Sequence, residues 1–306
     1  MVAEAPRDGA RTATTLASMS ARRSLAKLAL TGAVAAAATV GAAIAAVSYA
    51  GLKVQGRAAG DVADYLASDP DPAAGPVVCA GASIVRGQAS VDFVELLRKR
   101  FPATTFVNAG VNGNVVYELA VRVDEVLRCW PSSVIVLIGT NDVQATLSPT
   151  AGAAVRAGKH LPEIPTLGWY QELLTDYVTT LRRSDIAVGL CSLPPLGQDL
   201  SSEVNERVRE FNAVIAEVAS ECGAGYLPVY ERCAEELTSR GAASGPAFTG
   251  LWRPGVGSLV RHFVLGQSYD AISARNGLAL SPDFVHLNSV GAGIVADCAS
   301  EFLQAR

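Results

Sequence analysis

Ser83, His286 and Asp283 form a set that can perform nucleophilic acyl chemistry if folding brings them together. A serine hydroxyl is a weak nucleophile until a base removes its proton. The chain has three histidines, His160, His262 and His286, and only His286 has an acid three residues before it, at Asp283. A carboxylate at that spacing can reach one ring nitrogen, fix the tautomer and steady the imidazolium, leaving the other nitrogen for Ser83. Attack on a carbonyl creates an oxyanion, which needs donors aimed at it. The Ser83 N–H, the Gly113 N–H and the Asn141 side-chain amide are the candidates; glycine suits the role because no Cβ blocks approach to its backbone. Taken singly, each residue has an ordinary reading. Ser83 can be a helix N-cap, Gly110 and Gly113 turn glycines, Asn141-Asp142 a turn or cap, and His286 a structural histidine.

The elements that must position these residues decide between the two readings. Apolar runs at Pro76–Gly81, Thr105–Ala109, Ser133–Ile138, Ile186–Leu193 and Gly225–Val229 read as strands. Helical periodicity appears around Val91–Arg100, Val116–Cys129, Trp169–Arg183, Glu203–Glu221 and Val290–Phe302. Strands alternating with helices predict an α/β fold, a parallel sheet covered on both faces, and there is no internal repeat. In such sheets the site lies beyond the carboxyl ends of the strands. Gly81-Ala82-Ser83-Ile84 ends the first run, Asn108–Gly113 the second and Gly139-Thr140-Asn141-Asp142 the third, while Asp283–Asn288 precedes the last helix.

These four segments, in this order, resemble the four blocks of the SGNH (GDSL-like) hydrolase family, over roughly residues 76–303. The resemblance implies a flavodoxin-like three-layer α/β/α fold with a five-stranded parallel sheet. It implies ester hydrolysis through an acyl-enzyme, with no metal and no organic cofactor. It maps the nucleophile onto Ser83, the base onto His286 with Asp283 as its partner, and the oxyanion donors onto Ser83, Gly113 and Asn141. One position departs from the family: the residue before the nucleophile is usually Asp and here is Ala82. An acid there tends to anchor the turn, so its loss motivates a non-catalytic glycan- or lipid-binding alternative. An acyltransferase using the same residues is the other alternative.

The totals agree with a large globular domain. Half of the 306 residues are apolar and 18% are charged, enough to bury a sizeable core. Residues 1–60 carry seven Lys/Arg and two acids, net +5, which against −4 for the whole chain leaves −9 for residues 61–306. An acidic domain without a basic stripe interleaved with aromatics excludes nucleic acid as a natural partner. None of the six cysteines forms a CxxC pair, so the sequence offers no zinc site. Cys79 and Cys191 read as buried hydrophobes; Cys222 and Cys233 are candidates for a disulfide if the domain is exported.

Residues 1–27 read as a disordered basic segment. From Leu28 to Leu52 no residue is charged, and these 25 residues exceed the ~20 a membrane-spanning helix needs. Arg22, Arg23 and Lys27 precede it, which orients the C-terminal domain outward as a transmembrane signal-anchor. A signal peptide cleaved near Ser48-Tyr49-Ala50, a twin-arginine signal at Arg22-Arg23 and a buried cytosolic helix are the alternatives. Residues 53–75 read as a linker ending in Asp69-Pro70-Asp71-Pro72, and 76–306 as the hydrolase domain. The expected substrate is a small-molecule, lipid or glycan ester. Two insertions lie near the site: Leu147–Leu167, a lid or a surface loop, and residues 244–280, an acyl-chain wall, a membrane-facing rim or ordinary packing. Arg86 is either a guide for an anionic substrate or a solvated helix charge.

Overall fold

The computed structural model describes residues 40–250 and 252–306. Residues 40–54 are helical (α1). Residues 1–39, which include the basic segment and the first part of the expected membrane helix, lie outside the described residues. Among the described residues no helix is long and apolar enough to cross a membrane.

Ala50–Arg306 forms one compact unit. Its centre is a five-stranded parallel sheet of β1 (Val77–Gly81), β2 (Phe106–Gly110), β3 (Ser133–Leu137), β4 (Ala187–Cys191) and β5 (Gly225–Leu227), in the order β2-β1-β3-β4-β5. That is the doubly wound flavodoxin-like order. The first four strands are buried along their whole length, as the unalternating apolar runs require.

Helices cover both faces. On one lie α5 (Val116–Ala120), α6 (Val123–Leu127), α7 (Thr140–Thr146), α9 (Leu167–Arg182) and α10 (Glu203–Glu221), with Leu119, Leu174, Leu181, Phe211 and Val218 fully buried. On the other lie α3 (Ser83–Arg86), α4 (Phe93–Arg100), α11 (Val229–Ser239) and α14 (Ser289–Gln304), packed through Phe93, Leu97, Val229, Leu237 and Val295. The helix expected over Val116–Cys129 divides in two at Arg122, whose side chain turns inward beneath the sheet loops.

The cysteines are all free. Cys222 packs on the α9–α10 face and Cys233 on the α11–α14 face, so the sheet separates them and the conditional pairing fails on geometry.

The segment expected to be a linker belongs to the compact unit. It contains α2 (Val62–Ala67), capped by Asp61, whose carboxylate accepts from the Asp64 N–H at 2.8 Å. Gly60 O accepts from the Asn108 N–H at 2.9 Å, and Asp61 bridges to Asn108 in parallel, so the segment covers the exposed edge of β2.

Candidate active site

β1, β2 and β3 end level with one another, Gly81 opposite both Gly110 and Leu137. The loops that follow therefore start from one rim of the sheet, with that of β1 in the middle. Ser83 stands two residues past Gly81, at the first position of α3. The turn is tight enough to demand glycine on both sides. A Cβ on Gly81 would lie 2.1 Å from Leu137 O, and one on Gly110 would lie 2.3 Å from the Arg86 backbone N. Ala82 is buried and makes no side-chain cap to α3; the turn is held instead by the backbone, with Ala82 O accepting from the Arg86 N–H at 3.0 Å.

Asp283 and His286 arrive from the far end of the chain. His286 Nε2 lies 3.0 Å from Ser83 Oγ, and Nδ1 lies 2.8 Å from Asp283 Oδ2. Asp283 Oδ1 accepts from the backbone N–H of His286 at 2.9 Å and of Val285 at 3.2 Å. The two carboxylate oxygens thus have separate tasks, one folding the loop and the other holding the ring. The turn requires Phe284 at φ +77°, a left-handed conformation costly for a residue with a side chain. Asp283 is 1% exposed. Burial alone would raise its pKa; the charge of and hydrogen bonds from His286 outweigh that and leave it below the usual carboxylate value.

Gly113 sits at φ +76° in the loop after β2. Among the described residues no protein group accepts from its N–H or from that of Ser83. Asn141 lies on the first turn of α7, and its Nδ2 donates to Asn114 O at 2.8 Å, with a second N–H on the same nitrogen. Asp142, 2% exposed, accepts from the Val116 N–H with both oxygens, at 3.1 and 3.2 Å, and so ties the loop after β3 to the helix after Gly113. Burial drives its pKa up to about 7.

The candidate residues that chemistry singled out therefore stand together at the carboxyl edge of the sheet. Of the weaker candidates, Arg86 lies on α3 with Ser83, and His160 and His262 lie elsewhere. Arg86 is tied to the protein itself: it donates to Gln55 O at 3.2 Å, Gly110 O at 3.3 Å and Gln88 Oε1 at 3.0 Å, and to Gly56 O. Asn112, next to Gly113, donates to Val54 O at 2.7 Å. The carbonyls of Val54, Gln55 and Gly56, where α1 ends and the chain turns, are thus held by Arg86 and Asn112. His160 is the left-handed C-cap of a helix, and His262 stacks on Tyr269 with ring centroids 4.1 Å apart. Neither takes part in the Ser83 arrangement.

The first insertion is largely a helix, α8 (Pro149–Lys159), packed on α7. Its last residue, Lys159, pairs with Glu118 at 2.7 Å and reaches within 3.8 Å of where a Gly113 Cβ would be. The second contains α12 (Trp252–Phe263) and α13 (Tyr269–Arg275), with Val264 and Leu265 exposed after α12. Two residues near the site escape sequence reasoning. Arg122 and Asn114 belong to no motif, and their positions show only when the strand ends are assembled.

A model of the GDSL-like Lipase/Acylhydrolase family matches residues 79–249, a span that includes Ser83, Gly113 and Asn141 and ends before Asp283. No curated protein sequence matches the chain. Among solved structures, an acetyl xylan esterase, AlAXEase, aligns with TM-score 0.53 at 19% identity, covering 74% of this chain and 98% of its own. LAE5, an alpha/beta hydrolase from the metagenome of Lake Arreo, Spain, aligns with TM-score 0.53 at 18% identity, covering 75% of this chain and 95% of its own. A lipase/acylhydrolase from Enterococcus faecalis aligns with TM-score 0.50 at 19% identity, covering 76% of this chain and 96% of its own. At these identities the likeness is one of fold.

Proposed function

Because the chain belongs to the GDSL-like lipase/acylhydrolase family, we propose that it is a serine carboxylic-ester hydrolase working through an acyl-enzyme on Ser83. The observation that carries this reading is the unbroken relay Ser83 Oγ–His286 Nε2–His286 Nδ1–Asp283 Oδ2, at 3.0 and 2.8 Å. His286 Nε2 takes the Ser83 proton as Oγ attacks the ester carbonyl carbon. The carbonyl oxygen gains the charge and is met by the N–H groups of Ser83 and Gly113 and by Asn141 Nδ2. The intermediate collapses, and His286 returns the proton to the departing alcohol. Water, deprotonated by His286, then releases the acid and restores Ser83. Asp283 holds the ring with Nδ1 protonated, so that Nε2 is the base throughout.

The substrates of this reading are acylated lipids, acylated glycans or small esters. The catalytic domain lies outside the cytoplasm, membrane-anchored or secreted, as the uncharged Leu28–Leu52 stretch behind Arg22, Arg23 and Lys27 supports. The described part of that stretch is in keeping with a lipid-facing helix: Val40, Ile44, Val47 and Leu52 are exposed.

The test is p-nitrophenyl acetate turnover together with fluorophosphonate labelling in membrane and soluble fractions. The reading expects a labelled peptide containing Ser83, and loss of both turnover and label in Ser83→Ala. Equal turnover in that variant sinks the assignment of Ser83. Label in a cytosolic fraction alone sinks the location. Acyl transfer to an added alcohol in preference to water would recast the enzyme as a transferase.

A further inference from the structure

Arg122 is a cation in an unusual place. It lies in the break between α5 and α6, and its guanidinium turns inward. Nη2 donates to Ala109 O at 2.7 Å and to Gly81 O at 3.1 Å, the carbonyls at the ends of β2 and β1. Nε donates to Asn114 Oδ1 at 3.1 Å. Among the described residues no carboxylate forms an ion pair with it. The guanidinium is half-buried, and that burial pulls its pKa below the ordinary value against the opposing influence of Tyr177, Glu125 and Glu118.

What it holds explains the placement. Asn114 follows Gly113 directly and is buried. It is fixed at three atoms: its N–H donates to Val111 O at 3.2 Å, its Oδ1 accepts from Arg122, and its carbonyl accepts from Asn141 Nδ2 at 2.8 Å. One residue thus sits between two of the three oxyanion donors, adjacent to Gly113 in sequence and bonded to Asn141 in space. Arg122 in turn ties Asn114 to the strand end that leads into Ser83. The planar fork of a guanidinium can serve several fixed acceptors at once, which an ammonium cannot reproduce.

We propose that Arg122 is a positioning residue for the oxyanion site, acting through Asn114 on Asn141 and Gly113. This rests on the proposed role of Asn141 as an oxyanion donor. The guanidinium takes over the anchoring of the nucleophile turn from below, at Gly81 O, in a chain whose nucleophile is preceded by Ala82 rather than an acid. Arg122 touches no reacting atom; its effect is on how closely two donors are aimed.

The test is a double-mutant cycle on the full chain, with kcat and KM for p-nitrophenyl acetate. Removing one oxyanion donor typically costs on the order of 100- to 1000-fold in kcat, and misaiming one is expected to cost about 10- to 100-fold on the same basis. Arg122→Gln is therefore expected to lower kcat within that range with KM little changed. Arg122→Lys is expected to stay impaired. In an Asn141→Ala background, Arg122→Gln is expected to cost less than about threefold, since residues acting as a unit are non-additive. If Arg122→Gln does not fold, Asn114→Ala, which removes only the Nε acceptor, carries the same cycle. An equal fold-loss in both backgrounds, or an effect on KM alone, overturns the inference while leaving the oxyanion site intact. A full kcat in Asn141→Ala alone strikes the oxyanion reading itself.

Discussion

Replacing Asp283 with Asn tests the relay more sharply than deleting it. The carboxylate is buried, and its oxygens are not equivalent: Oδ1 accepts both backbone N–H groups of the loop, Oδ2 the His286 ring. An asparagine has one acceptor oxygen and one donor nitrogen. The two backbone donors claim the oxygen, so the amide nitrogen must face Nδ1. The ring then accepts at Nδ1 and carries its proton on Nε2, the nitrogen facing Ser83 at 3.0 Å. A base already protonated cannot take the hydroxyl proton. The loop bonds survive, so folding should be nearly unaffected while kcat falls by on the order of 10⁴, as the same exchange does in a serine protease triad. That corresponds to about 5–6 kcal/mol of barrier. The assay is p-nitrophenyl acetate hydrolysis, with thermal unfolding as control. A kcat within tenfold of the parent, in folded protein, would refute the tautomer argument.

Three further predictions follow from the same geometry. Asp142, with its pKa raised to about 7 by burial, holds its proton more tightly folded than unfolded. Its contribution to stability is therefore full at low pH and declines as pH rises from about 4, its value in an unfolded chain, to about 7. Asp142→Asn should flatten that slope in Tm measured across pH 4–8, and an unchanged slope would count against the burial account. Gly113→Ala introduces a side chain at φ +76° with nothing nearer its Cβ than Lys159 Nζ at 3.8 Å. Crowding is not the cost; the left-handed backbone is, at about 1–2 kcal/mol, so kcat should fall at least tenfold as the Gly113 N–H swings away, and a normal kcat would remove Gly113 from the donor set. Lys159→Met breaks a part-exposed ion pair with Glu118 worth at most ~1 kcal/mol, a Tm loss of about 2–4 °C, and a drop beyond 10 °C would mean that α8 depends on the pair far more than that.

Much of this was legible in the chain because the relevant physics is local. Strands buried on both faces read as unbroken apolar runs, and their five centres coincide with β1 to β5. Their ends do not, since those depend on partners: the fourth run stops at Cys191 because its neighbour β5 ends at Leu227 and the Leu193 N–H turns away to Asn212 Oδ1. The spacing Asp283-x-x-His286 was readable because it is an intrinsic turn. Arg122 was not, since nothing in the stretch Val116–Cys129 signals that a helix will break to send one side chain under two strands. Residues 53–75 misled for a related reason. Polar, Pro-rich sequence reads as a linker, yet its backbone carbonyls meet acceptor-seeking groups at Arg86, Asn108 and Asn112 that only the folded sheet edge presents.

The bond between Ser83 and His286 joins residues 203 positions apart. During synthesis at about 5–20 residues per second, the serine emerges roughly 10–40 s before its base. Through that interval the hydroxyl is as unreactive as any surface serine. In the folded chain the final helix packs against α4 and the Asp283–His286 loop stands at the rim of the sheet, so on the proposed reading activation of Ser83 waits for that packing. On the proposed reading, ester turnover would report the end of folding, and a chain cut short of His286 would lack the base that activates Ser83.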